Sequence, residues 1–341
     1  MEQFIRIGVD LGKRYFQVHA LASADGRAVT RKLARAKFLA FFADVAPCLI
    51  GMEACSSAHY WARQLRAMGH DVRLMPPSYV KAYVKRGKND AVDAAACCEA
   101  VSRPDMRFVP IKNEEQQSAL MLHRTRELLV RQRTMSVNAL RGLLAEFGFI
   151  VAKGVGRASE LIEMARNDVN LPEGAKAVVE IFAGQLETIS AAIRAVAKVI
   201  ANAHARNPMS QLLAGIPGVG KVIASAIVST VPDSMVFKSA RDFSAWLGLV
   251  PRQDSTGGKA KLGAITKKGD RYIRKLLVLG ATSLLRVAGK RKGALKDWLV
   301  ALLEKKSARL ASVALANKLA RIIWGMMSSG ETFRKELFEP A

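Results

Sequence analysis

The sequence predicts an α/β N-terminal domain over residues 1–110, a segment of long helices over residues 111–207 and an all-α domain over residues 208–341. In the first part, short apolar segments alternate with helical patterns, which is typical of α/β domains. After about Glu114 the strand patterns stop, and apolar residues recur at helical spacing through two long stretches. A chain of 341 residues is long enough for two or more domains.

Five strands and four helices are predicted in the first part. Apolar or alternating runs predict the strands, and Phe, Ala and Leu at helical spacing predict the helices. Gly69 is expected to end one helix, and Pro76-Pro77 is expected to end the last strand. The strands are predicted at Ile5–Asp10, Phe16–Ala22, Ala28–Leu33, Cys48–Glu53 and Asp71–Met75, and the helices at Lys37–Val45, His59–Gly69, Ser78–Val84 and Asp90–Val101.

The remaining two parts are predicted to be helical. Two long helices, over residues 114–147 and 172–204, carry spaced apolar residues and many arginines. They predict an antiparallel coiled coil or a protruding dimerisation arm, and an ordinary helical hairpin in a core is the alternative. Residues 251–269 are expected to form a polar, basic loop, and further helices are predicted over residues 222–230, 270–288, 294–305 and 308–328.

The chain is strongly basic. Lys plus Arg is 53 against 29 Asp plus Glu, which gives a formal net charge of +24. Such an excess favours nucleic acid as the partner, although a solubilising surface charge would have the same sign. No stretch predicts a transmembrane helix or a signal peptide, and the four cysteines are too few for a disulfide framework. We therefore expect a cytoplasmic protein with no membrane partner, no zinc site and small buried cysteines.

Four carboxylates occur where a charge is costly without a function. Asp10 and Glu53 end two apolar strands, and Asp90 and Asp93 are three positions apart on one predicted helix. Oxygen ligands of this kind suit Mg²⁺ or Mn²⁺, and such ions support phosphoryl transfer. For each residue a structural role is also open, because Asp90 could cap its helix and Asp10 could end its strand at a turn.

Two glycine-rich segments offer contacts for phosphate. The run Gly215-Ile216-Pro217-Gly218-Val219-Gly220-Lys221 lacks the Ser or Thr of a Walker A loop, because position 222 is Val. It predicts either a helix-hairpin-helix turn that holds a DNA phosphate or a tight connection between helices. The loop Ser255-Thr256-Gly257-Gly258-Lys259 places hydroxyls beside glycines and cations. Ser255 is a candidate nucleophile, and a phosphate-binding loop without covalent chemistry is the alternative.

These segments resemble a known family when they are taken in order along the chain. The chain resembles bacterial insertion-sequence transposases that combine an N-terminal RuvC-like DEDD domain with a C-terminal serine domain, a family that includes the bridge-RNA-guided recombinases. The matching segments are Gly8-Val9-Asp10-Leu11-Gly12-Lys13, Gly51-Met52-Glu53-Ala54, Lys88-Asn89-Asp90-Ala91-Val92-Asp93, Gly215 to Gly220, Leu247-Gly248-Leu249-Val250-Pro251-Arg252, Ser255 to Lys259, and Thr266-Lys267-Lys268-Gly269-Asp270.

The resemblance implies a function and a set of site residues. Asp10, Glu53, Asp90 and Asp93 would bind Mg²⁺, and Ser255 would form a covalent phosphoserine link to DNA, with Thr256 as the other candidate. The partners would be double-stranded DNA at the element ends and the target, a bridge RNA, and further copies in a dimer or tetramer joined through the long helices. The protein would act at the bacterial nucleoid. The candidate nucleic-acid contacts are Lys13, Lys88, Gly218, Gly220, Lys221, Arg252, Thr256, Gly257, Gly258, Lys259, Lys261, Lys267, Lys268, Arg271 and Arg274.

Two other functions fit parts of the same pattern. A RuvC-like nuclease or junction resolvase would use the carboxylates alone, with water as the nucleophile and no covalent serine chemistry. A nucleic-acid-binding protein without activity would show salt-dependent binding and no cleavage with Mg²⁺. All four carboxylates are present, which favours an enzyme over the second alternative.

Overall fold

A computed structural model describes residues 2–22, 26–84, 89–231, 233–254, 261–290 and 294–334 of the chain. The chain divides into two compact units, Met1–Glu115 and Gln116–Ala341. The division of the second unit into a helical arm and a terminal domain at residue 208 stays a prediction.

The first unit is built on one mixed five-stranded sheet with the order β3-β2-β1-β4-β5. β1, β2 and β3 form an antiparallel meander, while β4 and β5 run parallel to β1. This mixed sheet agrees with the RuvC-like fold that the resemblance implies. The strands are β1 (Arg6–Leu11), β2 (Tyr15–Leu21), β3 (Ala28–Ala34), β4 (Leu49–Glu53) and β5 (Asp71–Met75).

Helices cover the two faces of this sheet differently. The helices are α1 (Phe38–Ala43), α2 (Ala58–Ala67), α3 (Pro77–Val80) and α4 (Asp90–Ala100). On one face, Ile7 and Val9 of β1 pack in a core with aromatic side chains of α1 and α2, such as Phe38 and Trp61. On the other face α4 lies across β1, β2 and β4. Alternation along β1 therefore directs Gly8 and Asp10 toward α4.

The second unit begins with long helices, as the sequence predicts. α5 (Glu114–Ala145) starts at the boundary between the two units, and α7 (Glu173–Ala205) follows it. Between them lies α6 (Ala158–Asn167), which was not predicted because its residues follow a stretch of glycines and charges. Its buried Leu161 and Ala165 pack in one core with residues of α5 and α7. Whether α5 and α7 form a coiled coil stays a prediction.

The rest of the second unit is mainly helical, with α8 (Pro208–Ala214), α9 (Lys221–Thr230), α10 (Ala240–Trp246), α11 (Arg271–Arg286), α12 (Ala294–Lys305) and α13 (Ala308–Ser329). In the part of the chain that the structure describes, α13 alone is long and apolar enough to cross a membrane, but half of its apolar stretch is buried in the protein. α13 packs against α10 and α11 in the helical core.

The prediction that residues 208–341 are all-α is wrong at one place. β6 (Pro251–Gln253) and β7 (Leu262–Ile265) form a short antiparallel hairpin where a basic loop was expected. Gly248 and Gly269 explain it, because both have positive φ angles of 70° and 79° and reverse the chain on either side of the hairpin. The amide of Lys267 then donates to the carbonyl of Gly248 at 3.1 Å.

Candidate functional site

Asp10 and Glu53 lie at the same edge of the sheet. β1 and β4 are parallel neighbours, and Val9 pairs with Met52 in their register. The next residues along the two strands are Asp10 and Glu53, so both carboxylates follow the last registered pair. The carboxyl ends of parallel strands are a common place for binding sites in open α/β sheets.

α4 brings two more carboxylates to this edge. Its cap is Asn89, whose side chain accepts a hydrogen bond from the amide of Ala91 at 3.0 Å. The alternative that Asp90 caps the helix is therefore wrong. Asp90 and Asp93 lie in the first turn of α4, where the helix dipole stabilises negative charge.

Two glycines allow α4 to lie directly on the sheet. A β-carbon on Gly8 would overlap the carbonyl oxygen of Ala94, and one on Gly51 would come within 2.8 Å of the carbonyl oxygen of Cys97. Each of these glycines precedes a site carboxylate by two positions, so it shares a face with it. The close approach of the backbones places the start of α4 over Asp10.

Asp10, Asp90 and Asp93 form a compact group of carboxylates. One oxygen from each lies within 4.8 Å of the others. Asp90 is exposed, while Asp10 and Asp93 are partly buried. Glu53 does not belong to this group, but its charge interacts with those of Asp10 and Asp93. The structure thus brings three of the four predicted carboxylates together and leaves Glu53 beside them.

The closely spaced negative charges affect the pKa values of the two strand residues, Asp10 and Glu53. Burial, then the charges of Asp90 and Asp93, raise the pKa of Asp10. Burial, then the charges of Asp10 and Asp93, raise the pKa of Glu53. A divalent cation would relieve this repulsion, and a set of carboxylate oxygens is the donor type that Mg²⁺ and Mn²⁺ prefer. The donors fit such an ion.

A pattern of glycine two positions before a carboxylate occurs in both strands, at Gly8-Val9-Asp10 and Gly51-Met52-Glu53. The predicted site rested on the carboxylates of these segments and not on the glycines. Residues two positions apart lie on the same face of a strand, so the neighbour before each carboxylate on its face is a glycine without a side chain. That face is therefore open to a closely packed helix.

The second predicted site lies partly outside the described residues. Ser255, Thr256, Gly257, Gly258 and Lys259 are outside them, and so is Lys88. The described ends of this segment meet, because the amide of Asp254 donates to the carbonyl of Lys261 at 2.9 Å. In the sequence, Ser255 directly follows Asp254, which adjoins β6.

Several predicted cations surround the hairpin. Arg252, Lys261, Lys267, Lys268 and Arg271 are exposed, and their charges are available to an anion. In the first unit Lys13 is exposed as well. Five exposed cations in a short stretch make a positive surface of the kind that binds phosphate.

Arg274 has a structural contact. One nitrogen of its guanidinium donates to the backbone carbonyls of Leu247 and Lys268, at 2.9 Å and 3.0 Å. Burial lowers the pKa of Arg274, which Asp270 partly offsets. These bonds join Leu247, before the hairpin, to Lys268, after it. The contact of Arg274 with nucleic acid stays a prediction.

The glycine-rich turn before α9 is also tightly packed. Gly218 has a φ angle of 82°, and a β-carbon there would lie 2.6 Å from the side chain of Leu284 on α11. Gly220 is the residue before α9 and has open space around the position of a β-carbon, while Lys221 is exposed. Gly218 therefore serves packing, whereas the contact of Gly220 and Lys221 with a phosphate stays a prediction. A helix-hairpin-helix stays a prediction here.

Two family models match the chain. A model of DEDD transposases of IS110 elements matches residues 7–149, which include the acidic group. A model described as "Transposase IS116/IS110/IS902 family" matches residues 210–295, which include the glycine-rich turn and the hairpin.

The chain is also similar to curated transposases over most of its length. It is 46% identical over 336 residues to "Putative transposase y4pF/y4sB" of Sinorhizobium fredii, covering 98% of this chain and 87% of the relative. It is 46% identical over 334 residues to "Probable family 20 transposase" of Pseudomonas aeruginosa, covering 96% of this chain and 98% of the relative. It is 36% identical over 329 residues to "Transposase for insertion sequence element IS1328" of Yersinia enterocolitica, covering 96% of this chain and 98% of the relative.

Proposed function

The chain belongs to the IS116/IS110/IS902 family of transposases, enzymes that cut and rejoin DNA, and from this premise we propose that its acidic group and Ser255 divide the chemistry between them. The observation that carries the proposal is the grouping of Asp10, Asp90 and Asp93 within 4.8 Å. In a protein with a net charge of +24, a DNA phosphodiester is the fitting substrate for a metal held there.

Asp10, Asp90 and Asp93 would hold Mg²⁺ or Mn²⁺, with Glu53 as the fourth carboxylate. A bound ion of this kind neutralises phosphate charge and activates an oxygen nucleophile. The burial of Asp10 and the fixed position of α4 keep the ligands in place before DNA arrives. The carboxylates would thus hold the ion that orients one phosphodiester and neutralises part of its negative charge.

Ser255 would supply the nucleophile. Its Oγ loses its proton and bonds to phosphorus, while the bond from phosphorus to one sugar oxygen breaks and that oxygen takes up a proton. One phosphodiester replaces another, so no external energy source is needed. The reverse attack by a free sugar hydroxyl rejoins the strand and restores the serine hydroxyl. The exposed cations of the hairpin would stabilise the negative charge on the phosphate oxygens.

Trapping on denaturing gels tests this division of labour. Wild-type protein incubated with element-end DNA and Mg²⁺ should leave DNA covalently attached to the protein. Ser255→Ala should abolish the adduct, whereas the matched neighbour Thr256→Ala should retain it. Cleavage by Ser255→Ala at the wild-type rate would overturn the serine chemistry and leave a nuclease that uses water.

We also propose that α5 joins two copies of the chain. Met121, Leu128 and Met135 are 64%, 43% and 62% exposed, and they recur at intervals of seven residues. Such a row forms one apolar line along a helix, which is typical of coiled-coil contacts. A dimer or tetramer could then supply Ser255 from one copy and the acidic group from another.

Guidance by a bridge RNA is the third part of the proposal. It is supported by the net charge of +24 and by the family resemblance. Purified protein should then carry a defined RNA encoded beside its gene, and recombination should stop when that RNA is removed. Recombination by RNA-free protein at the full rate would contradict guidance.

A further inference from the structure

A glutamine on the neighbouring strand faces the acidic group. Gln17 of β2 pairs directly with Asp10 in the antiparallel ladder between β1 and β2. Directly paired residues share one face of a sheet, with β-carbons about 4.5–5.5 Å apart. That face is the one on which α4 lies. Gln17 is therefore beside Asp10 and under the helix that carries Asp90 and Asp93.

The amide oxygen of Gln17 is buried without a partner. Its Oε1 has no hydrogen bond to any residue in the described ranges. Buried polar atoms are nearly always satisfied, so an unpaired oxygen at this place needs an explanation. The next residue on the same face, His19, differs because its Nδ1 lies 3.1 Å from Oγ1 of Thr30.

The residue paired with Gln17 on its other side is a lysine that contacts an aromatic ring. Lys32 of β3 pairs with Gln17 in the ladder between β2 and β3. Its ammonium lies 4.7 Å from the centre of the Tyr15 ring. The unpaired oxygen of Gln17 and the carboxylate of Asp10 therefore lie on one face of the sheet, and within the described residues a hydrated cation would satisfy both.

We propose that Gln17 is a fifth residue of the metal centre and that its amide oxygen contacts the hydrated divalent ion. The inference rests on the proposed metal-binding role of Asp10, Asp90 and Asp93. Mg²⁺ and Mn²⁺ accept neutral amide oxygens as well as carboxylates, and Mg²⁺ usually retains several waters. A neutral donor adds a contact to the ion without adding to the repulsion among the carboxylates.

Titration of the full-length protein with Mn²⁺ alone tests the inference without any activity measurement. Gln17→Met keeps the size of the side chain and removes its oxygen, so it should weaken Mn²⁺ binding by about 10- to 100-fold. The metal-free melting temperature should stay the same or rise, because a buried unpaired oxygen is lost. Gln64→Met, in a partly buried position on α2, is the matched control and should bind as the wild type does.

Two further variants separate the outcomes. Gln17→Glu retains an oxygen donor and should bind Mn²⁺ at least as tightly as the wild type; weak binding by this variant would overturn the proposal. Wild-type affinity in Gln17→Met combined with lost affinity in Asp10→Asn would overturn the role of Gln17 and keep the metal centre. Unchanged affinity in both variants would overturn the metal centre itself.

Discussion

Gly8 and Ala94 are in direct contact, because the position of a β-carbon on Gly8 coincides with the space of the Ala94 carbonyl oxygen. The obstacle is helix backbone, which cannot move aside as a flexible side chain does. This contact sets the distance between β1 and α4. It therefore also sets the position of Asp93, one residue before Ala94, relative to Asp10, two residues after Gly8.

The first prediction is that Gly8→Ala separates α4 from the sheet. Overpacking of this kind costs roughly 1–3 kcal/mol of unfolding free energy, and the shift of α4 should also weaken Mn²⁺ binding. Chemical denaturation and Mn²⁺ titration measure the two effects. Gly184→Ala on α7, where a β-carbon meets open space, should instead stabilise by about 0.5–1 kcal/mol. Unchanged Mn²⁺ affinity in a folded Gly8→Ala protein would contradict the role given to this contact.

The sheet could be predicted from the sequence because its strands are short apolar runs between clear turns. The convergence of Asp10 with Asp90 and Asp93 followed from strand ends and helix spacing. α6 and the β6–β7 hairpin could not be predicted, because their stability comes from tertiary contacts such as Leu161 in its core and the packing around Gly248. Gln17 had no sequence pattern of its own, since its position depends on the register of β2 against β1.

The second prediction concerns Asp10→Asn. The pKa of Asp10 is raised, so between its usual value and the raised one the folded state holds more protons than the unfolded state. The free energy of unfolding of metal-free protein should therefore fall as pH rises through this window. Asp10→Asn removes one charge and should stabilise metal-free protein at neutral pH by about 1 kcal/mol.

Thermal unfolding with and without Mg²⁺ measures how much the ion stabilises each protein. Wild-type protein should gain stability from Mg²⁺, and Asp10→Asn should gain little. Asp44→Asn, at an exposed position after α1, is the control and should respond to Mg²⁺ as the wild type does. Equal stabilisation of Asp10→Asn by Mg²⁺ would show that the ion binds elsewhere.

The third prediction is that Met135→Lys separates the copies of the chain. Met135 is 62% exposed, so a lysine there is tolerated in a monomer but places a charge in an apolar contact between helices. Sedimentation should show a smaller assembly with unchanged helix content. Thr134→Lys, about 100° around the same helix, should keep the wild-type assembly. A Met135→Lys protein of unchanged mass would exclude this row as the contact.

The fourth prediction concerns acid stability and His123. This side chain is 1% exposed, and its ring nitrogens lie 3.0 Å from Oγ of Ser225 on α9 and 3.3 Å from the hydroxyl of Tyr272 on α11. Burial, then the charge of Arg126, lowers the pKa of His123 from 6.5 to about 4. Between these two pH values His123 is therefore protonated in the unfolded state and neutral in the folded state.

The free energy of unfolding should consequently fall as pH drops from 6.5 toward 4, by up to roughly 3 kcal/mol from this group. Denaturant titrations at several pH values measure the slope. His123→Gln stays neutral and should show a shallower decline than the wild type over that window. Parallel profiles for the two proteins would mean that other groups govern the acid sensitivity.

The last prediction separates two neighbouring cations by their effects. Lys268 is exposed, whereas Arg274 donates from one nitrogen to the carbonyls of Leu247 and Lys268. Arg274→Gln should lower the free energy of unfolding by about 1–3 kcal/mol, because the partly buried carbonyl of Leu247 and the exposed carbonyl of Lys268 lose a charged donor. Lys268→Gln should leave stability within about 0.5 kcal/mol but weaken DNA binding, and should reduce the salt dependence by about one phosphate contact. If Lys268→Gln instead left both the affinity and its salt dependence unchanged, the surface around the hairpin would not be where DNA binds.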